Sequence, residues 1–326
     1  MKKLLNKYNY TWLTLIVVTY VIISLLIQMG IINAYYQITL ISIGINIILA
    51  LSLNLIIGVC GQFSLGHAGF MCIGAYSSAI ITKMIPNHMG LLVAILVGAV
   101  ISSIAALIIA LPTLRLRGDY LAIATLGFSE IIRIFVLNMK ITNGASGIGN
   151  IPKLTNFSIV YIAIVITLIV IVNFVRSAQG RACISIREDE IASESMGVNT
   201  TKYKTIAFVI GAIIASMAGV LYASYYYSIK PDTFNFSKSI DILVIVVFGG
   251  MGSMTGSVLS GILLGLINFF LQSFAELRMI LYSIIIIFIM VFRPSGLLGT
   301  KEFTFKKILD FFHRNKEKHH DNSIEN

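Results

Sequence analysis

Consecutive apolar runs, each about as long as a membrane-spanning helix, are the feature that most restricts how this chain can fold. A helix needs about 20 apolar residues to cross the hydrocarbon core of a bilayer. Only 12% of the residues are charged, whereas soluble domains average about 25%. Because helices satisfy their own backbone hydrogen bonds in lipid, the sequence predicts an all-α polytopic membrane protein. The runs lie at residues 12–32, 38–57, 63–82, 90–111, 120–137, 158–175 and 205–226.

The number of segments depends on the chain after residue 226. Residues 242–248 are apolar but too short to cross alone, the glycine-rich break GGMGSMTG follows at 249–256, and further apolar runs cover 257–273 and 279–292. With the N-terminus inside and an odd number of remaining crossings, 17 Lys and Arg residues fall inside and six outside, in agreement with the positive-inside rule. We therefore predict about ten transmembrane segments with a short or broken eighth, and eight segments as the alternative.

Both ends of the chain are expected on the inner side of the cytoplasmic membrane. Residues 1–11 carry lysines and precede an apolar run that is longer than the roughly 7–15 residues of a signal-peptide core and lacks an A-x-A cleavage site. We therefore expect a retained first helix. Residues 12–298 are predicted to form the transmembrane domain, and residues 299–326 a basic cytoplasmic tail.

The net charge of +10 does not indicate a nucleic-acid partner. The basic residues lie at the ends of apolar runs and in the tail, and no basic face is interleaved with aromatic residues. We assign this charge to orientation in the membrane lipid. The cysteines at 60, 72 and 183 show neither pairing nor metal-ligand spacing, so no disulfide framework, metal or other cofactor is predicted.

Residues 176–204 form a long hydrophilic stretch between two apolar runs, and we interpret them as an ordered element exposed to water. Ser185 and Glu188 have the S-x-x-E spacing of a capping box, acidic residues fill the first turn, and Gly197 marks a helix end. This predicts one short helix of about three turns, with an apolar patch suited to a groove on a partner. A solvated loop is the alternative. The patch is formed by Ile191, Ala192, Ser195 and Met196, and the full docking set is Ser185, Arg187, Glu188, Asp189, Glu190, Ile191, Ala192, Ser195, Met196 and Gly197.

Small residues recur every fourth position in several runs. In lipid, no hydrophobic force drives helices together, so close backbone approach through small faces supplies the packing contacts. These stripes predict tight helix packing and carry no chemistry. They are Ala94, Gly98, Ser102, Ala106 and Ala110; Gly211, Ala215, Gly219 and Ala223; and Ser257, Gly261 and Gly265.

Two glycine-rich interruptions lie inside apolar sequence, at residues 58–70 and 249–256. Paired interruptions in the two halves of a transporter indicate its permeation path, because freed backbone groups at membrane depth must line a cavity or be buried in protein. A glycine-rich turn at a helix end is the alternative for each interruption.

Ionisable residues inside the apolar runs are the remaining candidates for function. Glu130 and Arg133 are three residues apart on one helical face, so they form either a structural ion pair or part of the path. His67 is either a hydrogen-bonded packing residue or a substrate contact, and Lys238 and Asp241 are expected at the outer interface. The residues predicted to line the translocation path are Ser64, Gly66, His67, Gly69, Glu130, Arg133, Gly249, Gly250 and Gly252.

The motifs of common enzymes are absent from the sequence. It contains no G-x-x-x-x-G-K-[ST] phosphate loop, so ATP hydrolysis is not expected in this chain, and H-E-x-x-H, G-x-S-x-G and C-x-x-C are missing as well. The residues alone therefore indicate a transporter or channel subunit with a cytoplasmic docking helix. An autonomous channel or an ion-coupled secondary transporter is the alternative in a different class.

Five segments taken together resemble the permeases of branched-chain amino acid ABC importers, specifically the M-type of their two permease subunits. The resemblance covers residues 54–298 in the family's order, and the segment corresponding to the family's coupling helix is 187–197. Ser193 and Ser195 stand where alanines are common. The segments are GQFSLGHAGFMCIGAY at 61–76, RLRGDYLAIATLGFSEIIRI at 115–134, TNGASGIGNIP at 142–152, GRACISIREDEIASESMGVNTTKYKTIAFVIGA at 180–212 and FGGMGSMTGSVLSGILLG at 248–265.

The resemblance implies a type II-like ABC importer permease fold and a set of partners. These would be a homologous permease subunit in a heterodimer, two cytoplasmic ABC ATPase subunits, and an extracytoplasmic protein that delivers leucine, isoleucine or valine. ATP hydrolysis in the partners would move the coupling helix as a lever. Related permeases that carry urea and short amides are the alternative within this class.

Overall fold

The computed structural model describes residues 7–113, 118–272 and 296–299, together with residues 274, 280, 283, 284, 287 and 291. Side chains are described from Thr14 onwards. The predicted N-terminal segment lies partly outside the described residues, and the basic tail and most of the predicted run at 279–292 lie outside them.

The described chain is α-helical. Its helices are α1 (Lys7–Gln28), α2 (Ala34–Asn54, continued by a π-helical turn at Leu55–Val59), α3 (His67–Met84), α4 (His88–Thr113), α5 (Asp119–Asn138), α6 (Phe157–Arg176), α7 (Ala178–Glu188), α8 (Glu190–Ser195), α9 (Thr200–Tyr226), α10 (Phe236–Gly249) and α11 (Met254–Leu271). Short 3-10 turns at Gly144–Ser146 and Pro231–Phe234 interrupt the connections.

Six of the described helical segments are long and apolar enough to cross a membrane: Ala34–Val59, His88–Thr113, Asp119–Asn138, Phe157–Arg176, Thr200–Tyr226 and Met254–Leu271. All seven apolar runs predicted up to residue 226 overlap helices. The run predicted at 63–82 starts later than expected, because α3 begins only at His67 and the chain before it is not helical. The count of about ten segments is not confirmed by these six.

The helix at the position of the predicted short eighth segment is itself short. Helix α10 has 14 residues, which gives a length of about 21 Å, less than the roughly 30 Å of a hydrocarbon core. Before it, Phe234 is fully buried and packs against Tyr76, halfway along α3, with 6.2 Å between the ring centroids. The chain therefore returns to the middle of α3 as a non-helical connection before α10 begins.

The core is built around α2 and the pair α3 and α9, and the small residues predicted to allow close packing do so. A Cβ atom at Gly219 would overlap the backbone carbonyl of Met71, and a Cβ at Gly74 would overlap the carbonyl of Ser216. On α11, Gly261 faces Ile47 of α2. All five small residues of the α4 stripe are buried. The prediction of tight helix packing is confirmed.

The bundle has two distinguishable ends. At one end, Arg187 of α7 contacts the backbone at Gly58, at the close of α2. At the other, Ile148 and Ile229 form an antiparallel bridge with N···O distances of 3.0 and 2.9 Å, joining the connection after α5 to the one after α9. We refer to these as the coupling end and the opposite end.

The prediction that Lys238 and Asp241 lie at the outer interface is wrong for both, because Asp241 lies three residues nearer the coupling end than Lys238. The ammonium nitrogen of Lys238 lies 2.9 Å from Oδ1 of Asn46, which is near the middle of the helical segment Ala34–Val59. The prediction failed because α10 begins inside the bundle, after the connection that returns to α3, and Lys238 is in its first turn.

Candidate functional site

The hydrophilic stretch folds as two helices, so the prediction of one helix from Ser185 to Gly197 is wrong. Ser185 lies inside α7 and does not cap a helix. Helix α7 is capped by Ser177, whose hydroxyl accepts a hydrogen bond from the nitrogen of Gly180 at 3.1 Å. Asp189 lies between the two helices and caps α8, because its carboxylate accepts a hydrogen bond from the nitrogen of Ala192 at 3.0 Å. A carboxylate that caps from an extended backbone competes with helix continuation.

The end of the element at Gly197 is confirmed. Gly197 has φ +84°, and its nitrogen donates to the carbonyl of Glu194 at 2.9 Å, while Val198 donates to the carbonyl of Ser193 at 3.1 Å. This pair of bonds is a Schellman motif, which satisfies carbonyls that would otherwise lack donors at a helix end. Helix α8 is therefore capped at both ends.

The predicted apolar patch is exposed. Ile191 is 64% exposed and Met196 is 84% exposed, and Ala192 and Ser195 are exposed as well. Beside the patch is a shallow groove of about 340 Å³, lined by Ser185, Glu188, Asp189, Ala192, Ser193 and Met196. Outside a membrane span, apolar side chains with this exposure gain stability when a partner covers them.

Helix α8, which carries this patch, is held by contacts with α7 and α9. Lys204, at the start of α9, is buried and its ammonium nitrogen lies 2.6 Å from the carboxylate of Glu190. The hydroxyls of Ser185 and Ser193 lie 2.7 Å apart and join α7 to α8. Glu190 and Ser185 therefore anchor the element, and the surface that remains for a partner is formed by Ile191, Ala192, Ser195 and Met196.

Arg187 points into the protein instead of towards a partner. Its Nη1 donates to the carbonyl oxygen of Gly58 at 2.6 Å, and its guanidinium pairs with Glu188. A Cβ at Gly252 would lie 3.1 Å from the same Nη1. Residues 176–204, which contain α7 and α8, are called the coupling segment below. Arg187 thus joins the coupling segment to both glycine-rich interruptions.

Asn54 holds the two interruptions together and was not singled out from the sequence. It is fully buried, its Nδ2 donates to the carbonyl of Ser253 at 2.8 Å and to the hydroxyl of Ser257 at 2.9 Å, and its Oδ1 accepts from the nitrogen of Gly252 at 2.8 Å. An asparagine near the end of an apolar run was the available signal, since a buried amide requires hydrogen-bond partners.

The second interruption is a tight turn between α10 and α11. Gly250 and Gly252 have φ values of +107° and +97°, Gly249 faces Gly256, and Ser253 caps α11 by accepting from the nitrogen of Gly256 at 3.0 Å. A Cβ at Gly58 would overlap the nitrogen of Gly252, so the backbones of the two interruptions touch. The alternative of a glycine-rich turn describes the geometry at 249–256.

The remaining path candidates near α3 are placed where α3 meets α2 and α5. Ser64 and His67 are buried, and Nε2 of His67 lies 2.8 Å from the hydroxyl of Ser52 on α2. The two glycines are in close contact with α5, since a Cβ at Gly66 would lie 2.8 Å from the carbonyl of Thr125 and one at Gly69 would lie 2.9 Å from Cα of Ser129. The structure brings these four residues together at one helix junction.

The predicted pair of Glu130 and Arg133 is present, with a third member. Nε of Arg133 lies 2.7 Å from Oε2 of Glu130, and its Nη1 lies 3.2 Å from Oδ1 of Asp232. All three side chains are partly or largely exposed on the described chain. Asp232 lies in the 3-10 turn before α10. Its contact with Arg133 could not be predicted from spacing, because 99 positions separate the two residues.

Cys60 and Cys183 lie together where α7 meets the chain after α2, and both are buried and free. A hydrogen bond with Cys60 lowers the pKa of the Cys183 thiol, against the opposing effect of burial. Among the residues that the structure describes, no group of three His, Cys, Asp or Glu side chains could hold a metal ion.

Several helices of membrane-spanning length around one core, with a water-exposed helical element at one end, define a multi-pass membrane protein. The family model described as the permease component of branched-chain amino acid transport systems matches residues 35–290. The chain therefore belongs to this family of permease components. No solved structure matches it.

Named relatives agree with the family. The chain is 36% identical over 292 residues to the high-affinity branched-chain amino acid transport system permease protein LivM of Salmonella typhimurium, covering 78% of this chain and 68% of the relative, and the LivM protein of Escherichia coli gives the same figures. It is 25% identical over 286 residues to the LivH permease protein of Escherichia coli, covering 78% of this chain and 91% of that protein. The predicted resemblance is confirmed.

Proposed function

We propose that this chain is a membrane-spanning permease subunit of an ATP-binding-cassette importer that carries leucine, isoleucine and valine across the cytoplasmic membrane. The observation that carries this proposal is the coupling segment, in which α8 offers an exposed apolar patch and α7 is bonded through Arg187 to the interruptions in the bundle. Such a segment has a use only when a partner outside the membrane delivers force. The relatives named LivM and LivH supply the solute class.

The proposed partners are a homologous permease subunit, two cytoplasmic ABC ATPases and an extracytoplasmic amino-acid-binding protein. Escherichia coli has two permease proteins that are named for one high-affinity branched-chain amino acid transport system, LivM and LivH, and this chain is similar to both. This pairing supports a heterodimer. ATP hydrolysis is assigned to the ATPases because this chain lacks a phosphate-binding loop. Like its named relatives, the chain is a transporter subunit and not an enzyme.

The proposed topology has ten segments and both termini in the cytoplasm. Gly58, Arg187 and Gly252 meet at the coupling end, and the nitrogen of Leu297 donates to the carbonyl of Phe248 at 2.8 Å, which places the chain beyond α11 at this end too. The connections after α5 and α9 lie at the opposite end. This ordering supports an eighth crossing composed of the connection at 227–235 and α10.

In the proposed mechanism the ATPases approach each other when they bind ATP and move α7 and α8 as a lever. Arg187 passes the movement to the end of α2 through Gly58, and Asn54 passes it to the turn between α10 and α11. Helices on both sides of the interruptions then shift together and change access to the path.

Replacing Arg187 by methionine is expected to lower ATP-dependent leucine uptake about tenfold or more while the ATPases remain bound. The substitution removes a charge-assisted hydrogen bond to a backbone carbonyl, which contributes about 1.5–3 kcal/mol, and each 1.4 kcal/mol corresponds to about a factor of ten. Uptake and ATPase co-purification would be measured in parallel. Arg181→Met is the control, because Arg181 bonds only locally, to the carbonyl of Arg176 at 2.8 Å. Equal uptake in both variants would refute a coupling role for Arg187.

The proposed function is tested by purification and by uptake. A tagged chain extracted from membranes should bring with it two ATPases and a second permease, and cells lacking the chain should lose uptake of labelled leucine and regain it on complementation. Uptake of urea in place of leucine would indicate the related short-amide permeases. Solute flux through the chain reconstituted alone, following an ion gradient, would indicate an autonomous transporter and refute the proposal.

A further inference from the structure

Charged side chains of both signs lie on neighbouring elements at one side of the bundle. Helix α5 packs against the 3-10 turn at 231–234 and against α10. These three elements carry Glu130, Arg133, Asp232, Lys238 and Asp241. The first three form the linked pairs described above.

Asp241 is exposed deep within the membrane domain. It precedes the end of α10 at Gly249 by eight residues, which corresponds to about 12 Å along the helix. Gly250 and Gly252 continue from that end to the coupling segment. Asp241 therefore lies well inside a hydrocarbon core of about 30 Å, and its side chain is exposed on the described chain.

Lys238 lies three residues before Asp241 on α10, so the two side chains are neighbours on one face of that helix. The ammonium nitrogen of Lys238 is held by Asn46 of α2. The pair therefore presents a fixed cation and a fixed anion at the same level of the domain. Ile240 and Val244, each partly exposed, provide apolar surface beside Asp241.

This side of the bundle cannot face lipid. An ionised carboxylate at the centre of a bilayer is costly and is found facing a bundle interior or a water-filled cavity. The lipid-compatible surface is elsewhere, for example on α4, where Leu96, Val100 and Ile104 are 66%, 59% and 54% exposed in mid-helix. The charged side of α5 and α10 therefore faces a protein interior or a water-filled path in the assembled transporter.

We propose that Lys238 and Asp241 form a site for the head group of a zwitterionic α-amino acid within the translocation path. Asp241 accepts hydrogen bonds from the substrate ammonium, Lys238 donates to its carboxylate, and Ile240 and Val244 contact the aliphatic side chain. The cluster of Glu130, Arg133 and Asp232 lies nearer the opposite end and forms the approach to the site. This inference rests on the proposed function, since it assigns a solute class to the path.

The water-facing position is tested by labelling in the assembled transporter. Asp241→Cys should react with a membrane-impermeant, positively charged methanethiosulfonate reagent, whereas Val100→Cys in the middle of α4 should not. The native cysteines are buried, and the wild-type chain measures any background reaction. Equal reactivity at positions 241 and 100 would overturn the inference.

The binding role is tested by uptake. With the complex intact and the binding protein saturating, Asp241→Asn should reduce leucine uptake about tenfold, the effect of losing a hydrogen bond to a charged group, and Asp241→Glu should retain more of it. Co-purification of the ATPases shows that each variant assembles. If wild-type complex takes up leucine and Asp241→Asn takes it up equally well, the site is refuted alone. If the wild-type complex takes up none, the proposed function fails and the assignment of the site to an amino acid fails with it.

Discussion

Placing aspartate at both positions 191 and 196 should abolish co-purification of the ATPase subunits while the chain remains in the membrane. Ile191 and Met196 are 64% and 84% exposed on α8. Full burial of such a side chain contributes about 1.5–3 kcal/mol, so losing two of them weakens binding by about 100-fold or more. The new carboxylates would also be desolvated in the partner's groove. Leucine uptake should disappear with the ATPases.

The matched control introduces the same charge outside the patch. Ala178→Asp with Gln179→Asp adds two carboxylates to exposed positions in the first turn of α7, where the helix dipole favours negative charge. This variant should retain the ATPases. If the Ile191→Asp, Met196→Asp variant co-purifies with as much ATPase as this control, α8 is not the docking element.

Replacing Gly219 by alanine should markedly destabilise the bundle. The added Cβ would overlap the carbonyl of Met71 and lie 2.9 Å from the nitrogen of Ala75, so α9 and α3 would have to separate. Overpacking a close contact costs about 1–3 kcal/mol, and here both obstructing atoms belong to the backbone, which cannot rotate away. The expected result is a marked fall in the thermal unfolding midpoint of the detergent-purified chain, and in its yield.

Gly127→Ala provides the comparison in a helix of the same domain. No atom lies within 4 Å of a Cβ at Gly127 in α5, and alanine is favoured over glycine inside a helix by about 1 kcal/mol. This variant should be as stable as the wild type or more so. A Gly219→Ala chain that unfolds at the same temperature as Gly127→Ala would show that α3 and α9 do not pack as described.

Much of the fold could be predicted because a membrane-spanning helix leaves a simple record in the sequence. The length of each apolar run marked its helix, and four-residue spacing of small residues marked the faces on which α9 and α4 pack. Gly197 could be identified because a positive φ at a helix end favours glycine. The run at 63–82 was placed too early, since residues 63–66 continue the apolar pattern but do not form helix.

The local structure of the coupling segment was harder to predict because neighbouring residues offered competing caps. Ser185 with Glu188 and Asp189 with its following residues are both plausible helix starts, and the chain uses Asp189. The inward orientation of Arg187 could not be predicted for a different reason. Its partner, Gly58, is 129 positions away, and no spacing rule within the segment shows which charged side chains turn inward.

The geometry of the candidate site depends mostly on contacts between residues that are far apart in sequence. The links from Asn54 to Gly252 and from Arg133 to Asp232 join residues that are far apart in sequence. Lys238 was placed at the wrong depth because hydropathy finds where an apolar run begins and does not detect a non-helical connection that enters the bundle first.

The direct contact between the two glycine-rich interruptions has a mechanical consequence. Gly58 and Gly252 meet backbone to backbone, with no side chain between them. Asn54, on the same helix as Gly58, accepts a hydrogen bond from the nitrogen of Gly252. The ends of α2, α10 and α11 that meet at this contact are therefore expected to move as one unit when Arg187 transmits a displacement of α7.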